Sequence, residues 1–218
     1  MNSGAPSFPP MTRDEFVALV TDATGGNSHV SRETLSRIDL YAETLRAWQP
    51  RINLVSNRSL DDLWRRHFLD SAQLVKWITP EMRVLDLGSG AGFPGLVVSI
   101  VTGATVVLGE SDSRKCTFLR EVRRLTDAPA EIAEGRIEDL DAGPFDVVVA
   151  RALAPLSALL DHAAGGVKPD GFCLFLKGAR ADDELTDARE IWNMQVDPHP
   201  SLSDPDGVVL RIRNLSRV

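Results

Sequence analysis

Two carboxylates and a cluster of glycines pose the first chemical question in this sequence. The run Val84-Leu85-Asp86-Leu87-Gly88-Ser89-Gly90-Ala91-Gly92-Phe93-Pro94-Gly95 passes from an apolar segment into a helical one. Gly90, Gly92 and Gly95 satisfy the G-x-G-x-x-G spacing of a dinucleotide-binding turn. Asp86 stands two residues before Gly88, and Glu110 lies twenty residues beyond Gly90. At that distance an acid can accept the hydroxyls of an adenosine ribose. Asp86 would repel a pyrophosphate and suits a cation, such as the ammonium of a methionine moiety. Pro94 removes a backbone N–H where a phosphate would need one. The pattern favours S-adenosylmethionine, with Asp86, Gly88, Gly90 and Glu110 as expected contacts. An NAD-dependent oxidoreductase and a tight turn without a ligand are the competing readings.

Further residues follow the later apolar runs. Arg136-Ile137-Glu138-Asp139-Leu140 comes after the third run, where methyltransferases of the Rossmann type commonly cradle adenine. The backbone of Ile137 and the carboxylate of Glu138 would meet the base, and an ordinary acidic loop is the alternative. Phe145-Asp146-Val147-Val148-Val149-Ala150-Arg151-Ala152 reads as a buried strand ending in a cation. Ligands of open α/β sheets bind beyond the carboxyl ends of the strands, so Arg151 is expected at the cofactor and substrate. Lys177, in Leu174-Phe175-Leu176-Lys177-Gly178, ends the next strand at the same edge and is a candidate phosphate or base contact. Arg151 and Lys177 are thus the expected catalytic pair, and no metal site is expected.

Methyl transfer from a sulfonium needs a nucleophile. The segment Arg151-Ala152-Leu153-Ala154-Pro155 lacks the D/N/S-P-P-Y/F pattern of exocyclic-amine enzymes. Cys116 sits in a helical pattern and Cys173 in mid-strand, so both read as small buried residues rather than nucleophiles. The nucleophile should come with the substrate, and a ring nitrogen such as guanine N7 fits because it needs no deprotonation. Two clusters could meet nucleic acid. One is Arg114, Lys115, Arg120, Arg123 and Arg124, opposed by Glu121 alone within 114–124; the other is Arg58, Arg65, Arg66 and His67. A solvated helix face is the alternative for each. Trp64 and Phe93 are candidates for stacking on the base, with packing the simpler role for Trp64.

These residues need a scaffold. Thr12 and Glu15 form a capping box ahead of Phe16, Leu19 and Val20, and Gly25-Gly26-Asn27 breaks that helix. A second helix opens at Ser31 and ends at Pro50, and a third is expected over 60–78. Beyond Pro80, apolar runs at 83–87, 105–109, 131–134, 145–150, 172–176 and 208–212 alternate with helical patterns at 95–101, 114–126, 156–164 and about 182–192. That alternation implies an α/β fold, a doubly wound, mostly parallel sheet with an N-terminal helical extension. The expected organisation is a disordered leader over 1–11, a helical cap over 12–79 and the α/β domain over 80–218.

Composition narrows the partners. Of 218 residues 43% are apolar and 25% charged, which suits a globular chain. Lys and Arg number 24 against 31 Asp and Glu, so the net charge of −7 excludes a uniformly basic nucleic-acid glove. Tight binding to naked RNA is disfavoured, and RNA presented within a particle fits better. Two cysteines exclude a disulfide scaffold. Neither a membrane span nor a secretion signal is read, and with two cysteines a reducing cytoplasm is expected; a monomer is the expected state.

Taken over about residues 35–209, the chain resembles the RsmG family, the small-subunit ribosomal RNA guanine-N7 methyltransferases once called glucose-inhibited division protein B. The resemblance rests on Asn53-Leu54-Val55-Ser56, Arg66-His67-Phe68-Leu69-Asp70-Ser71, the run Asp86 to Gly95, Arg114-Lys115-Cys116-Thr117-Phe118-Leu119, Arg151-Ala152 and Leu176-Lys177-Gly178. It implies a class I methyltransferase fold and methylation of N7 of one guanine in 16S rRNA, within the small subunit or an assembly intermediate. It also implies that Gly88, Phe93, the Ile137-Glu138 pair and Arg151 hold adenosylmethionine. Glu110 replaces the aspartate often found at the ribose position, and Ala91 stands where proline is frequent. A non-catalytic RNA-binding assembly factor is the remaining alternative.

Overall fold

The computed structural model describes residues 9–23, 30–139, 143–151 and 153–218. Gly25-Gly26-Asn27, Leu140, Ala152 and residues 1–8 of the expected leader lie outside them. The rest of that leader is not free. The Met11 N–H donates to Asp62 Oδ1 at 2.7 Å, Arg65 Nη2 donates to the Pro9 carbonyl, and the Met11 side chain is buried. The docked chain therefore starts before position 12.

Helix α1 (Arg13–Ala23) opens on the expected capping box, in which Thr12 N donates to Glu15 Oε2 and Glu15 N to Thr12 Oγ1. Helix α2 (Arg32–Trp48) has Ser31 as its N-cap and buries Leu35, Ile38, Tyr41 and Leu45 on one face. The third helix departs from expectation. Instead of one helix over 60–78 there are α3 (Asn57–Leu60), a π-helical stretch over Trp64–Leu69, α4 (Asp70–Ala72) and a 3-10 turn at Val75–Trp77. A π-helix places one more residue in a turn. His67, Phe68 and Asp70 thereby face three different partners, described below.

The sheet has seven strands in the order β3-β2-β1-β4-β5-β7-β6. Strands β1 (Arg83–Leu87), β2 (Thr105–Glu110), β3 (Ala130–Glu134), β4 (Phe145–Arg151) and β5 (Val167–Lys177) are parallel. Strands β6 (Trp192–Pro200) and β7 (Val208–Arg217) pair antiparallel, and β7 also joins β5 antiparallel. Connecting helices are α5 (Gly95–Thr102), α6 (Ser113–Thr126), α7 (Leu156–Ala164) and α8 (Ala181–Arg189). The helix expected to run to Trp192 ends at Arg189, and the chain turns there into β6.

Side-chain alternation along the strands divides the core between two faces. Val84, Val106, Leu108, Val147 and Val149 face α2, α5 and α6, and this cluster continues into Phe16, Ile38, Phe68 and Leu69 of the helical cap. Leu85, Leu87, Val107, Val148 and Phe175 face α7 and α8. Cap and sheet thus share one apolar cluster, which is what holds the cap over the carboxyl edge of the strands.

Candidate active site

A cavity of about 680 Å³ opens at the carboxyl edge of β1, β4 and β5. The loop after β1 forms one wall with Gly88, Ser89, Gly90, Ala91 and Phe93; Arg151, Leu153, Lys177 and Glu184 form another. The cap adds Arg66, His67 and Asp70, and the β6–β7 loop adds Ser203 and Asp204.

Local packing explains the glycines. Gly92 has φ +92°, and a Cβ there would come within 2.7 Å of the Tyr41 hydroxyl and 2.6 Å of Leu96 Cδ1. Gly90 has φ +57° and open space beside it, so the backbone at this point stays bare toward the cavity. An adenosine cofactor needs such an uncovered loop edge, and the residues present fit one. The loop is also pinned from the cap. The Tyr41 hydroxyl donates to the Ala91 carbonyl, and its ring stacks on Phe93 at 5.1 Å.

Asp86 corrects the expectation. Its alternation partner on β1 is Val84, so its side chain enters the sheet face under the loop and is fully buried, away from the cavity. There Oδ2 accepts the Gly95 N–H at 3.0 Å, while Oδ1 has no partner among the described residues. Burial pushes this carboxyl up to about 7. Asp86 therefore shapes the loop from beneath and is not placed to meet a ligand's ammonium. Glu110, at the end of β2, is also buried. It accepts the Gly90, Ser111 and Asp112 N–H groups at 2.8–2.9 Å, bracing the glycine loop. Ile137 and Glu138 follow β3 at the same edge but do not line the cavity, and Glu138 pairs with Arg136 at 3.5 Å.

Arg151 is held on three sides. Nη1 donates to the Arg66 carbonyl at 3.1 Å and to Asp70 Oδ2 at 3.4 Å, and Nη2 lies 3.0 Å from His67 Nδ1. Its guanidinium also lies 5.0 Å from the Phe93 ring. Burial, then the charges of Arg151 and Arg66, push the His67 imidazole down to about 3. His67 is buried and neutral, a partner of Arg151 rather than a surface cation reaching for RNA.

The structure separates the other expected contacts. The Lys177 side chain is 8% exposed and donates to the Ala154 carbonyl and to Glu184 Oε2, each at 2.7 Å, so its ammonium is already paired within the wall. The basic clusters are largely neutralised. Arg65 pairs with Asp62, Arg66 with Asp204, Arg114 with Asp112, Arg120 with Glu134 and Arg124 with Glu121. Arg58 and Arg123 are exposed without a partner among the described residues, and Lys115 is half-buried. Of the expected RNA contacts Arg65, Arg66, His67, Arg114, Lys115, Arg120 and Arg123, only Arg66 and His67 line the cavity. Trp64 packs between Phe16 and Phe68 at 5.3 and 5.1 Å and is a core residue. Cys116 and Cys173 are buried away from the cavity, and burial pushes the Cys173 thiol up to about 12.

Gln73, Glu184, Ser203 and Asp204 are not among the residues the sequence singles out, and Asp70 enters only as part of the Arg66–Ser71 segment. Asp70 Oδ1 accepts from Ser203 Oγ at 2.5 Å and from Gln73 Nε2 at 3.2 Å. Gln73 Oε1 accepts the Leu202 N–H. The spacing of Arg66, Asp70 and Gln73 on one helical face was the available signal; their partners lie more than a hundred residues away in the β6–β7 loop.

Relatives bear on this arrangement. Residues 34–204 match the family model described as rRNA small subunit methyltransferase G. A protein named ribosomal RNA small subunit methyltransferase G from Rhodospirillum centenum is 55% identical over 188 residues, covering 86% of this chain and 87% of its own. One of the same name from Paramagnetospirillum magneticum is 53% identical over 191 residues, covering 87% and 93%. Among solved structures, TYW2 of M. jannaschii, crystallised with AdoMet, aligns with a TM-score of 0.56 at 13% identity over 78% of this chain and 80% of its own. The ribosomal protein L11 methylase of Lactobacillus delbrueckii subsp. bulgaricus aligns with a TM-score of 0.55 at 17% identity, covering 66% and 78%. At these identities the structural likeness concerns the fold, which is that of class I adenosylmethionine-dependent methyltransferases. With the glycine loop, the Arg66–Ser71 segment and Arg151 all inside the matched region, this chain belongs to the rRNA small subunit methyltransferase G family.

Proposed function

We propose that this chain transfers a methyl group from S-adenosylmethionine to N7 of one guanine in 16S rRNA, acting in the cytoplasm as a monomer on the small subunit or an assembly intermediate. The observation that carries this reading is family membership across residues 34–204, with Arg151 fixed beside the glycine loop at the cavity. When bound, adenosylmethionine supplies an electrophilic methyl on a sulfonium. In this reading Gly88, Gly90 and Phe93 receive it, with Glu110 bracing Gly90, and Ile137 and Glu138 take the adenine side. Arg151 orients the reacting groups from the end of β4.

N7 attacks through a lone pair, so the chain needs no general base. The ionic groups around the cavity agree: Asp70, Glu184 and Asp204 each sit against a cation. What the residues must supply is alignment and exclusion of water, which together account for large rate effects. Arg66 at the rim, with Arg58 beside Ser59 of the cavity wall, would meet phosphates, and shape would supply the rest; Arg123 lies in the last turn of α6, at the opposite edge of the sheet.

The test is methyl transfer from radiolabelled adenosylmethionine to small subunits of a strain lacking this gene, followed by nucleoside chromatography. Label in 7-methylguanosine is the expected result. Binding of adenosylmethionine without label in RNA would overturn the substrate assignment.

A further inference from the structure

Three carboxylates line the cavity, and they differ in what their oxygens have left to accept. Both Asp70 oxygens are engaged, Oδ1 by Ser203 and Gln73 and Oδ2 by Arg151. Both Asp204 oxygens are engaged, by Arg66 and the Asp206 N–H. Glu184 is different. Its Oε2 accepts two donors, the Leu156 N–H at 2.8 Å and the Lys177 ammonium at 2.7 Å. Its Oε1 has no hydrogen-bond partner among the described residues, and the side chain lines the cavity while only 18% exposed. A carboxylate held by a backbone N–H and a buried ammonium cannot swing away. It presents one fixed acceptor oxygen.

Position says which ligand that oxygen faces. The glycine loop follows β1, and the braced Glu110 ends β2 on the far side from β4. Lys177 ends β5, two strands from β1 in the opposite direction, a separation of about 10 Å at the usual strand spacing. Glu184 therefore lies on the side of the site away from the ribose position, where a substrate enters.

We infer that Glu184 reads the target base: its Oε1 accepts the N–H edge of guanine, with Lys177 as the residue that positions it. The inference rests on the guanine-N7 reading above and deepens it. Guanine offers N1–H and the 2-amino group as donors on one edge and carries N7 on the opposite one. A base gripped by Glu184 at the donor edge turns N7 away from the β5 side, toward the glycine loop. Adenine puts a lone pair at N1 and would leave Oε1 facing another acceptor. An extruded base is commonly read at its Watson–Crick edge in this way.

The experiment compares wild type with Glu184→Gln and with the double variant Lys177→Met/Glu184→Gln, which leaves no unpaired buried ammonium. Substrates are small subunits carrying guanosine or inosine, which lacks the 2-amino group, at the nucleotide that wild type methylates. Wild type should lose several-fold in kcat/KM on inosine. Both variants should lose about 10- to 100-fold on guanosine, the range for a hydrogen bond to a charged acceptor, and lose little more on inosine. Their affinity for adenosylmethionine, measured by calorimetry, should match wild type. Wild-type rates in the double variant, undiminished preference for guanosine over inosine, or a parallel loss of cofactor affinity would overturn the role of Glu184. Failure of wild type to form 7-methylguanosine would overturn the reaction itself.

Discussion

Arg151 Nη2 lies 3.0 Å from His67 Nδ1, and this bond decides the imidazole's tautomer. A guanidinium only donates, so Nδ1 is the acceptor. The proton sits on Nε2, which faces Ser59 Oγ at 2.8 Å. His67 thereby links the Ser59 turn to the end of β4 without carrying charge.

The first prediction concerns that proton. Nitrogen-15 NMR should show an Nε2–H imidazole at neutral pH that remains neutral at pH 5, because the folded pKa is held near 3. The unfolded histidine titrates near 6.5, so its protonation favours unfolding as pH falls from about 6.5 toward 3. His67→Gln should remove that part of the acid sensitivity. A midpoint near 6.5 in the folded protein would refute the arrangement.

Arg151 is expected to matter more to rate than to stability. In Arg151→Ala, Asp70 Oδ1 keeps Ser203 and Gln73 as donors while Oδ2 and His67 Nδ1 lose theirs, so stability should fall by about 1–3 kcal/mol without loss of the fold. Methyl transfer should fall by about 100-fold or more, the scale for removing a preorganised charged donor. Arg151→Lys should recover little, because one ammonium cannot span the Arg66 carbonyl, His67 and Asp70 together. Steady-state kinetics beside thermal melting separates the two effects.

Asp86 sets a pH dependence of the opposite sense. Its carboxyl is raised to about 7 from 3.8 by burial. The folded state therefore holds this proton more tightly than the unfolded one, and stability is lost as pH rises from about 4 to 7. Asp86→Asn should be stabilised relative to wild type at pH 8, by at most about 4 kcal/mol. The gap should close toward pH 4. Denaturant melts across that range provide the check, and a gap that widens at low pH would contradict it.

Tyr41→Phe isolates the cap's grip on the glycine loop. It leaves the buried Ala91 carbonyl without its donor, a loss of about 1–3 kcal/mol, while keeping the ring that stacks on Phe93. Calorimetry should show weaker adenosylmethionine binding. Unchanged affinity would mean that the loop holds its shape without the cap.

Both thiols should be inert. Cys116 and Cys173 are buried, and burial raises both pKa values. Native protein treated with iodoacetamide should retain methyl transfer, with neither cysteine alkylated by mass spectrometry.

Much of this architecture is legible in local pattern. The parallel strands announce themselves as apolar runs, and the glycine loop by its spacing. Strand β6 does not, because Asp197, Pro198 and Pro200 spoil its periodicity. Its strand character comes from pairing with β7, from Trp192 opposite Arg217 to Pro200 opposite Val208 with one register shift between Asn193 and Gln195. The charge of Asp86 suggests a ligand contact, but its place beside Val84 and Leu85 on a buried strand directs the side chain into a sheet face. Glu184 hides among Asp182 and Asp183 in an acidic helical turn, and the Lys177 ammonium and the Leu156 N–H distinguish it only in the fold. Lys177 ends β5 and lines the cavity, and its partner Glu184 is brought to it only by the turn into α8.

Strand β7 follows β6 along the chain yet lies between β6 and β5. A ribosome therefore delivers β6 before the strand on which it must lean, and residues 192–200 emerge with nothing to complete. Ser203 and Asp204 ride on the same hairpin, so the wall they form against Asp70 and Arg66 waits as well. The cavity is therefore closed on that side only where β7 is seated between β5 and β6.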